Sequence, residues 1–278
     1  SGVSPDSILR LSAEVGGRYS IWSSGGLTPL LSIGAKNFSD FLRGAEEMDT
    51  HFSDAKIKEN IALISALISI WNYNFLNSTS HALLVYTEKM RLLVDYLQQL
   101  EMESNGKSYS VDNDLLQHKT VPIIWGGTGT NGQHSFHQLL HQGTNTFSAT
   151  FFLVGNEDNP LPNHQEWLLA NALGQASALD KGIKYHAKKK LHKNLSGNHS
   201  SSTIILEELN PKSLGALLAY QEHKVFCEGA IWNINSFDQW GVEHGKYLAR
   251  NIKAEIDEKF PNINKTLFDD YNHLTNLK

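Results

Sequence analysis

Four short apolar runs separated by helical periodicity constrain this chain more than any other feature. His81-Ala-Leu-Leu-Val-Tyr-Thr87, Val121-Pro-Ile-Ile-Trp125, residues 147–154 and Thr203-Ile-Ile-Leu206 read as buried strands. Residues 57–76 have helical spacing ahead of the first run. Residues 88–101 follow it with Met90, Leu93, Val94, Leu97 and Leu100 at inward helical positions. Further helices are expected over about 132–141, after a Gly/Thr turn, and over 163–193. A last one is opened by Pro211, with helical periodicity over 213–227. Residues 188–202, with three lysines followed by Ser, Gly, Asn and His, look like an exposed loop. Strands separated by helices require parallel crossovers. The expected class is therefore α/β, a helix-sheet-helix sandwich with a mainly parallel sheet and flanking C-terminal helices.

Composition narrows the class of function without naming it. A net charge of −5 over 278 residues argues against general nucleic-acid binding, which wants a basic face. The single cysteine, Cys227, excludes an internal disulfide framework and fits a reducing compartment. The longest apolar run, residues 61–71, is interrupted by Ser65 and Ser69 and is too short to span a bilayer. No basic leader precedes an apolar core, which argues against secretion and for a cytoplasmic protein without a membrane partner.

Chemistry-bearing residues gather in four places. Val15-Gly-Gly-Arg-Tyr-Ser offers Arg18, a fixed fork of donors for phosphate, carboxylate or enolate oxygen; the plain alternative is a structural arginine after a glycine turn. In Gln98-Gln-Leu-Glu-Met-Glu-Ser-Asn-Gly-Lys107, the Ser-Asn-Gly stop leaves Glu103 at the helix end, with Gln99 one turn earlier on the same side. A carboxylate there faces the negative end of the helix dipole, which favours its taking up a proton. An ordinary solvated glutamate is the alternative.

The third place, Trp125-Gly-Gly-Thr-Gly-Thr-Asn-Gly-Gln-His134, follows a strand and leads into a helix, where α/β proteins bind ligands. Its glycines match neither a dinucleotide fingerprint nor a phosphate loop. His134 opens the expected helix, with His137 and His141 following. A metal trio is the weaker reading, because no carboxylate or cysteine accompanies them. The fourth place, residues 231–246, sets Gln239, Glu243 and Lys246 on one helical face between Trp232 and Trp240, suiting the rim of a pocket for a small anion. A surface helix with a Glu243–Lys246 ion pair is the alternative. Together these places supply a base, an imidazole and two cations, a set suited to proton transfer beside a carbonyl. Gly-x-Ser-x-Gly is absent, so no nucleophile elbow competes.

Val15-Gly-Gly-Arg-Tyr-Ser, Met102-Glu-Ser-Asn-Gly-Lys, Gly129-Thr-Asn-Gly-Gln-His and Phe237-Asp-Gln-Trp-Gly-Val-Glu-x-x-Lys246 together resemble the glucose-6-phosphate isomerase (phosphoglucose isomerase) family, in family order over nearly the whole chain. The resemblance implies the C-terminal half of such an enzyme. Residues 1–50 would link from a missing N-terminal sugar-isomerase (SIS) domain and carry Arg18. Residues 51–230 would form the second SIS domain, and residues 231–278 a helical tail carrying Lys246.

It further implies that Glu103 moves a proton between carbons 2 and 1 of the sugar through a cis-enediol, and that Arg18 stabilises the enediolate. His134 would assist ring opening, with Lys246 sharing in the proton transfer, while Gln99 and Gln239 contact substrate. No cofactor or metal is implied. The partner implied is a second copy of the chain, a homodimer in which His134 reaches the neighbouring subunit's site. Two departures stand out: Gly127-Thr128 replaces the family's usual Glu-Pro, and the segment between Leu191 and Thr203 looks shortened. The family's phosphate-binding loops would lie upstream, so the 278 residues alone are expected to be weakly active or inactive. A non-catalytic sugar-phosphate-binding SIS module is the alternative, against which the retention of Glu103 and Lys246 argues.

Overall fold

The computed structural model describes residues 4, 8–157 and 161–259. Its centre is a sheet of four strands among the described residues: β1 (Ser80–Val85), β2 (Ile123–Thr128), β3 (Phe147–Asn156) and β4 (Ser201–Glu208). They run parallel in the order β2-β1-β3-β4. The expected parallel α/β sheet is observed. β2 differs from expectation, starting after Pro122, which has no N–H to give to the ladder, and running on through Gly127 and Thr128. The residues that replace Glu-Pro are therefore strand, paired with Leu84 and Val85, and not turn.

Period-2 alternation sends side chains of each strand to two different helical layers. On one face Leu83, Val85, Ile124, Phe152 and Val154 pack with Leu93, Val94 and Leu97 of α3 (Leu93–Gln98) and with Leu217 and Val225 of α7 (Pro211–Trp232). On the other, Ala82, Leu84, Tyr86, Phe151 and Leu153 pack with Leu140 of α5 (His137–Gln142) and with Ala172 and Leu179 of α6 (His164–Lys181). All five expected inward residues of 88–101 are buried.

The expected long helix over 163–193 stops at Lys181, because Gly182 caps it at φ 59°, a left-handed conformation that favours glycine. Ile183 then bridges Leu195, and residues Lys188–Lys193 form a 3-10 helix. The helix expected over 132–141 is two helices, α4 (Gly129–Ser135) and α5, broken at Phe136.

Contacts divide the chain into Ser1–Phe237 and Asp238–Lys278. The expected segments 1–50 and 51–230 therefore both fall in the first unit, together with residues 231–237 of the expected tail. Within it, helix α1 (Leu27–Asp54) packs on α7 where Gly44 and Gly215 meet the backbone of Lys212 and Phe41, an approach no larger residue allows. Helix α2 (Ile61–Ile70), capped by the Asn60 side chain, also lies on α7, where Tyr220 OH donates to Ser65 Oγ at 2.6 Å. The second unit contains α8 (Trp240–Lys259); residues 260–278 of the expected tail lie outside the described residues. No helix among the described residues is long and apolar enough to cross a membrane.

Candidate active site

Arg18 reaches its place because the 3-10 helix Gly17–Trp22 is tied to α1 and α7 by its last residue. Trp22 stacks on Phe41 with centroids 4.9 Å apart, and its Nε1 donates to Glu222 Oε2 at 2.7 Å. Tyr96 donates to the other oxygen of that carboxyl at 3.1 Å. Burial outweighs these two donors and pushes the Glu222 carboxyl up to about 7. The Arg18 side chain is then buried: Nε donates to Ser104 Oγ at 2.7 Å and Nη2 to the Ser236 carbonyl at 2.7 Å. Tyr19 OH lies 2.8 Å from the same Ser104 hydroxyl, and burial raises its pKa despite that bond and the neighbouring guanidinium.

Glu103 stands on an unusual turn. The helix after α3 widens to a π-helix over Gln99–Glu103, a form that is rare and concentrated at functional sites. Leu100 and Glu101 turn inward, whereas the Glu103 side chain keeps 21% of its surface open, 3.6 Å from Arg18 Nη1. Gln99 Nε2 donates to Glu103 Oε2 at 2.9 Å, so the two residues do share a face. Lys107 Nζ caps the turn, donating to the Glu103 and Ser104 carbonyls at 2.9 and 2.7 Å. A carboxylate held open beside a sequestered guanidinium can take a carbon-bound proton while the cation steadies the oxyanion that forms.

His134 is not beside them. It is exposed in the last turn of α4, where its ring makes no hydrogen bond or ion pair among the described residues, rather than at a helix start. Gly129 of that helix lies against the Tyr86 ring, and Gln133 reaches Tyr86 OH at 3.4 Å, so α4 belongs to the face of α5 and α6. Glu103 follows Met102, which packs on the opposite face with Ile124. Within one chain the sheet layer lies between the elements carrying Glu103 and His134. His137 Nδ1 and His141 Nε2 both meet Gln175 Oε1, at 3.1 and 2.6 Å, and among the described residues no group of three or more His, Cys, Asp or Glu could hold a metal.

In the second unit, Gln239 precedes α8 and its carbonyl accepts from the Glu243 N–H at 3.3 Å. Lys246 is 55% exposed and pairs with Glu243 at 2.8 Å. Trp240 is 75% exposed. Trp232, expected at a pocket rim, is instead a core residue of the first unit. It packs with Ile70 and Ile234 and donates to Asn74 Oδ1 at 2.9 Å. Sequence reasoning missed Ser104, Tyr19, Lys107 and Ser236 as supports. Tyr19 and Ser104 directly follow Arg18 and Glu103, and Lys107 ends the same Met102–Lys107 motif, which was the available signal.

Fold and site define an α/β protein with a partly open carboxylate set against a buried arginine. Residues 1–273 match the phosphoglucose isomerase family model, and the chain belongs to that family. It is 45% identical over 271 residues to a glucose-6-phosphate isomerase of Shewanella sp. (strain ANA-3), covering 92% of this chain and 50% of that protein. The crystal structure of a glucose-6-phosphate isomerase from Chlamydia trachomatis D/UW-3/Cx superposes with a TM-score of 0.84 at 38% identity, over 95% of this chain and 52% of that one. A hypothetical protein from Thermus thermophilus shares the fold, with a TM-score of 0.70 at 24% identity over 88% of this chain and 57% of that one. The chain spans about half the length of the curated relatives it matches.

Proposed function

We propose that this chain forms part of an aldose-ketose isomerase that interconverts glucose 6-phosphate and fructose 6-phosphate through a cis-enediol, a step shared by glycolysis and gluconeogenesis. The observation that carries the reading is the pairing of partly open Glu103 with buried Arg18. Glu103 takes the proton from one carbon and returns it to the next. Arg18, held by Ser104 and the Ser236 carbonyl, stabilises the enediolate oxygen without having to reorganise. Gln99 orients the carboxylate and contacts substrate. Lys246 and His134 open the sugar ring, and Gln239 contacts the substrate. The 278 residues by themselves are weakly active or inactive, since binding energy on a remote phosphate helps position the reacting carbons. The single cysteine accords with a cytoplasmic setting.

The placement of α4 and Glu103 on opposite faces favours a homodimer in which a second copy supplies His134. Mixing full-length Glu103→Gln and His134→Gln subunits tests this. Each homodimer should be nearly inactive, and the mixed dimer should regain about half of the wild-type dimer's activity, because one of its two sites is then intact. Failure to regain activity on proven subunit exchange would place His134 in its own chain's site. The isomerase reading itself is tested by exchange of solvent deuterium into fructose 6-phosphate with the full-length protein. Exchange is expected, and its absence from correctly folded protein would overturn the reading.

A further inference from the structure

The polar groups behind Glu103 form a continuous circuit between the π turn and α7. Glu101, two residues before Glu103, is buried and meets Lys224 Nζ at 3.0 Å. Lys224 also meets Glu228 Oε1 at 3.3 Å, one turn further along α7. The other Glu228 oxygen accepts from Asn105 Nδ2 at 3.3 Å, and Asn105 Oδ1 accepts from Ser236 Oγ at 2.6 Å. The Ser236 carbonyl is in turn the acceptor for Arg18 Nη2. Glu103 is thus held two residues upstream by Glu101 and two residues downstream by Asn105, and both ties run back to one ammonium.

Stability alone does not account for this arrangement. Two carboxylates and a lysine taken out of water cost several kcal/mol per ion, and well-packed apolar side chains of similar volume usually do as well or better. What directional charges add is a fixed geometry. A π turn is seldom stable unaided, and its inward residue Glu101 is clamped from outside the helix. Burial disfavours the Lys224 charge, but Glu101 and Glu228 more than offset it and hold its pKa above the usual lysine value. The ammonium therefore stays charged at neutral pH, while burial pushes the Glu228 carboxyl above its usual range despite the neighbouring Lys224.

We propose that Lys224 is a positioning residue for Glu103: through Glu101, and through Glu228 and Asn105, it fixes the π turn that aims the base. The proposal rests on the reading of Glu103 as the base.

Two full-length variants test it without stranding a buried charge. Lys224→Arg keeps the cation but moves it, and a small polar cavity lined by Ser65, Ser69, Asn72 and His81 beside Lys224 gives the larger group room. Glu101→Gln keeps an acceptor for Lys224 but weakens the tie. For each, kcat should fall about 10- to 100-fold, as expected when a catalytic group is misplaced, with KM within about twofold and the thermal midpoint little changed. In a Glu103→Gln background neither change should lower the residual exchange rate further, because both act through the group already removed. Wild-type kcat in either folded variant overturns the proposal, as does an undiminished loss in the Glu103→Gln background. Normal turnover by Glu103→Gln alone would instead overturn the base assignment on which the proposal rests.

Discussion

Arg18 and Lys246 are both cations assigned to one reaction, and the molecule holds them in opposite ways. The Arg18 side chain is 1% exposed and bonded to Ser104, the Ser236 carbonyl and Glu103. Lys246 is 55% exposed on α8 and pairs with Glu243, three residues away. The first cation is set by the packing of three segments distant in sequence; the second by a local helical spacing. A group fixed by tertiary contacts cannot be removed without cost to the fold, whereas a group on a solvated helix can. The two regions should therefore respond differently to substitution.

The largest effect is expected at Arg18. Arg18→Met should lower turnover of the full-length protein by about 100- to 1000-fold, in the range seen when one oxyanion-stabilising donor is lost. It should also destabilise the fold by about 3–5 kcal/mol, because Glu103 and the buried acceptors lose their partner. Chemical denaturation and steady-state kinetics on the same preparation check both. A loss of activity with unchanged stability would break the contrast with α8.

Next comes a pH effect on the same buried layer. The half-buried His81 ring lies between the Ser148 and Thr150 hydroxyls, and burial, with Lys224 nearby, lowers its pKa to about 3. A folded-state pKa below the unfolded value of about 6.5 means stability present above pH 6.5 and lost as pH falls towards 3. The shift alone corresponds to about 5 kcal/mol, and the ring's partial exposure reduces the expectation to about 2–3 kcal/mol. Denaturation midpoints of wild type and His81→Asn between pH 7 and pH 4 should show the slope flatten in the variant. Parallel slopes would contradict it.

The smallest effect is at Lys246. Lys246→Met should change stability by no more than about 0.5 kcal/mol, as for an exposed ion pair, while lowering turnover in the full-length protein. A large loss of stability would place Lys246 in the structural class of Arg18 and erase the distinction.

The same contrast explains what could be read in the sequence. The four strands and the inward face of residues 88–101 were legible because period and burial coincide there. The Arg18–Glu103 wall was legible from its motifs, although nothing in their spacing showed that 85 residues of chain close to 3.6 Å. The π turn was hidden, since Gln-Leu-Glu-Met-Glu also suits an ordinary helix. The four-residue spacing of Lys224 and Glu228 suits an exposed ion pair on a helix as well as a buried one, and only the fold places them in the interior. The stop at Gly182 was visible as a glycine, but lysine-rich helical composition beyond it invited continuation. His134 could be placed opposite Glu103 only once the alternation of each strand had assigned its helices to a face.

The central claim is that Glu103 moves the proton. Its most direct test compares solvent-deuterium exchange into fructose 6-phosphate by the full-length wild type and Glu103→Gln, with sugar-phosphate binding measured on both. Exchange should be lost in the variant, with binding largely kept. Exchange at the wild-type rate in folded Glu103→Gln would contradict the account.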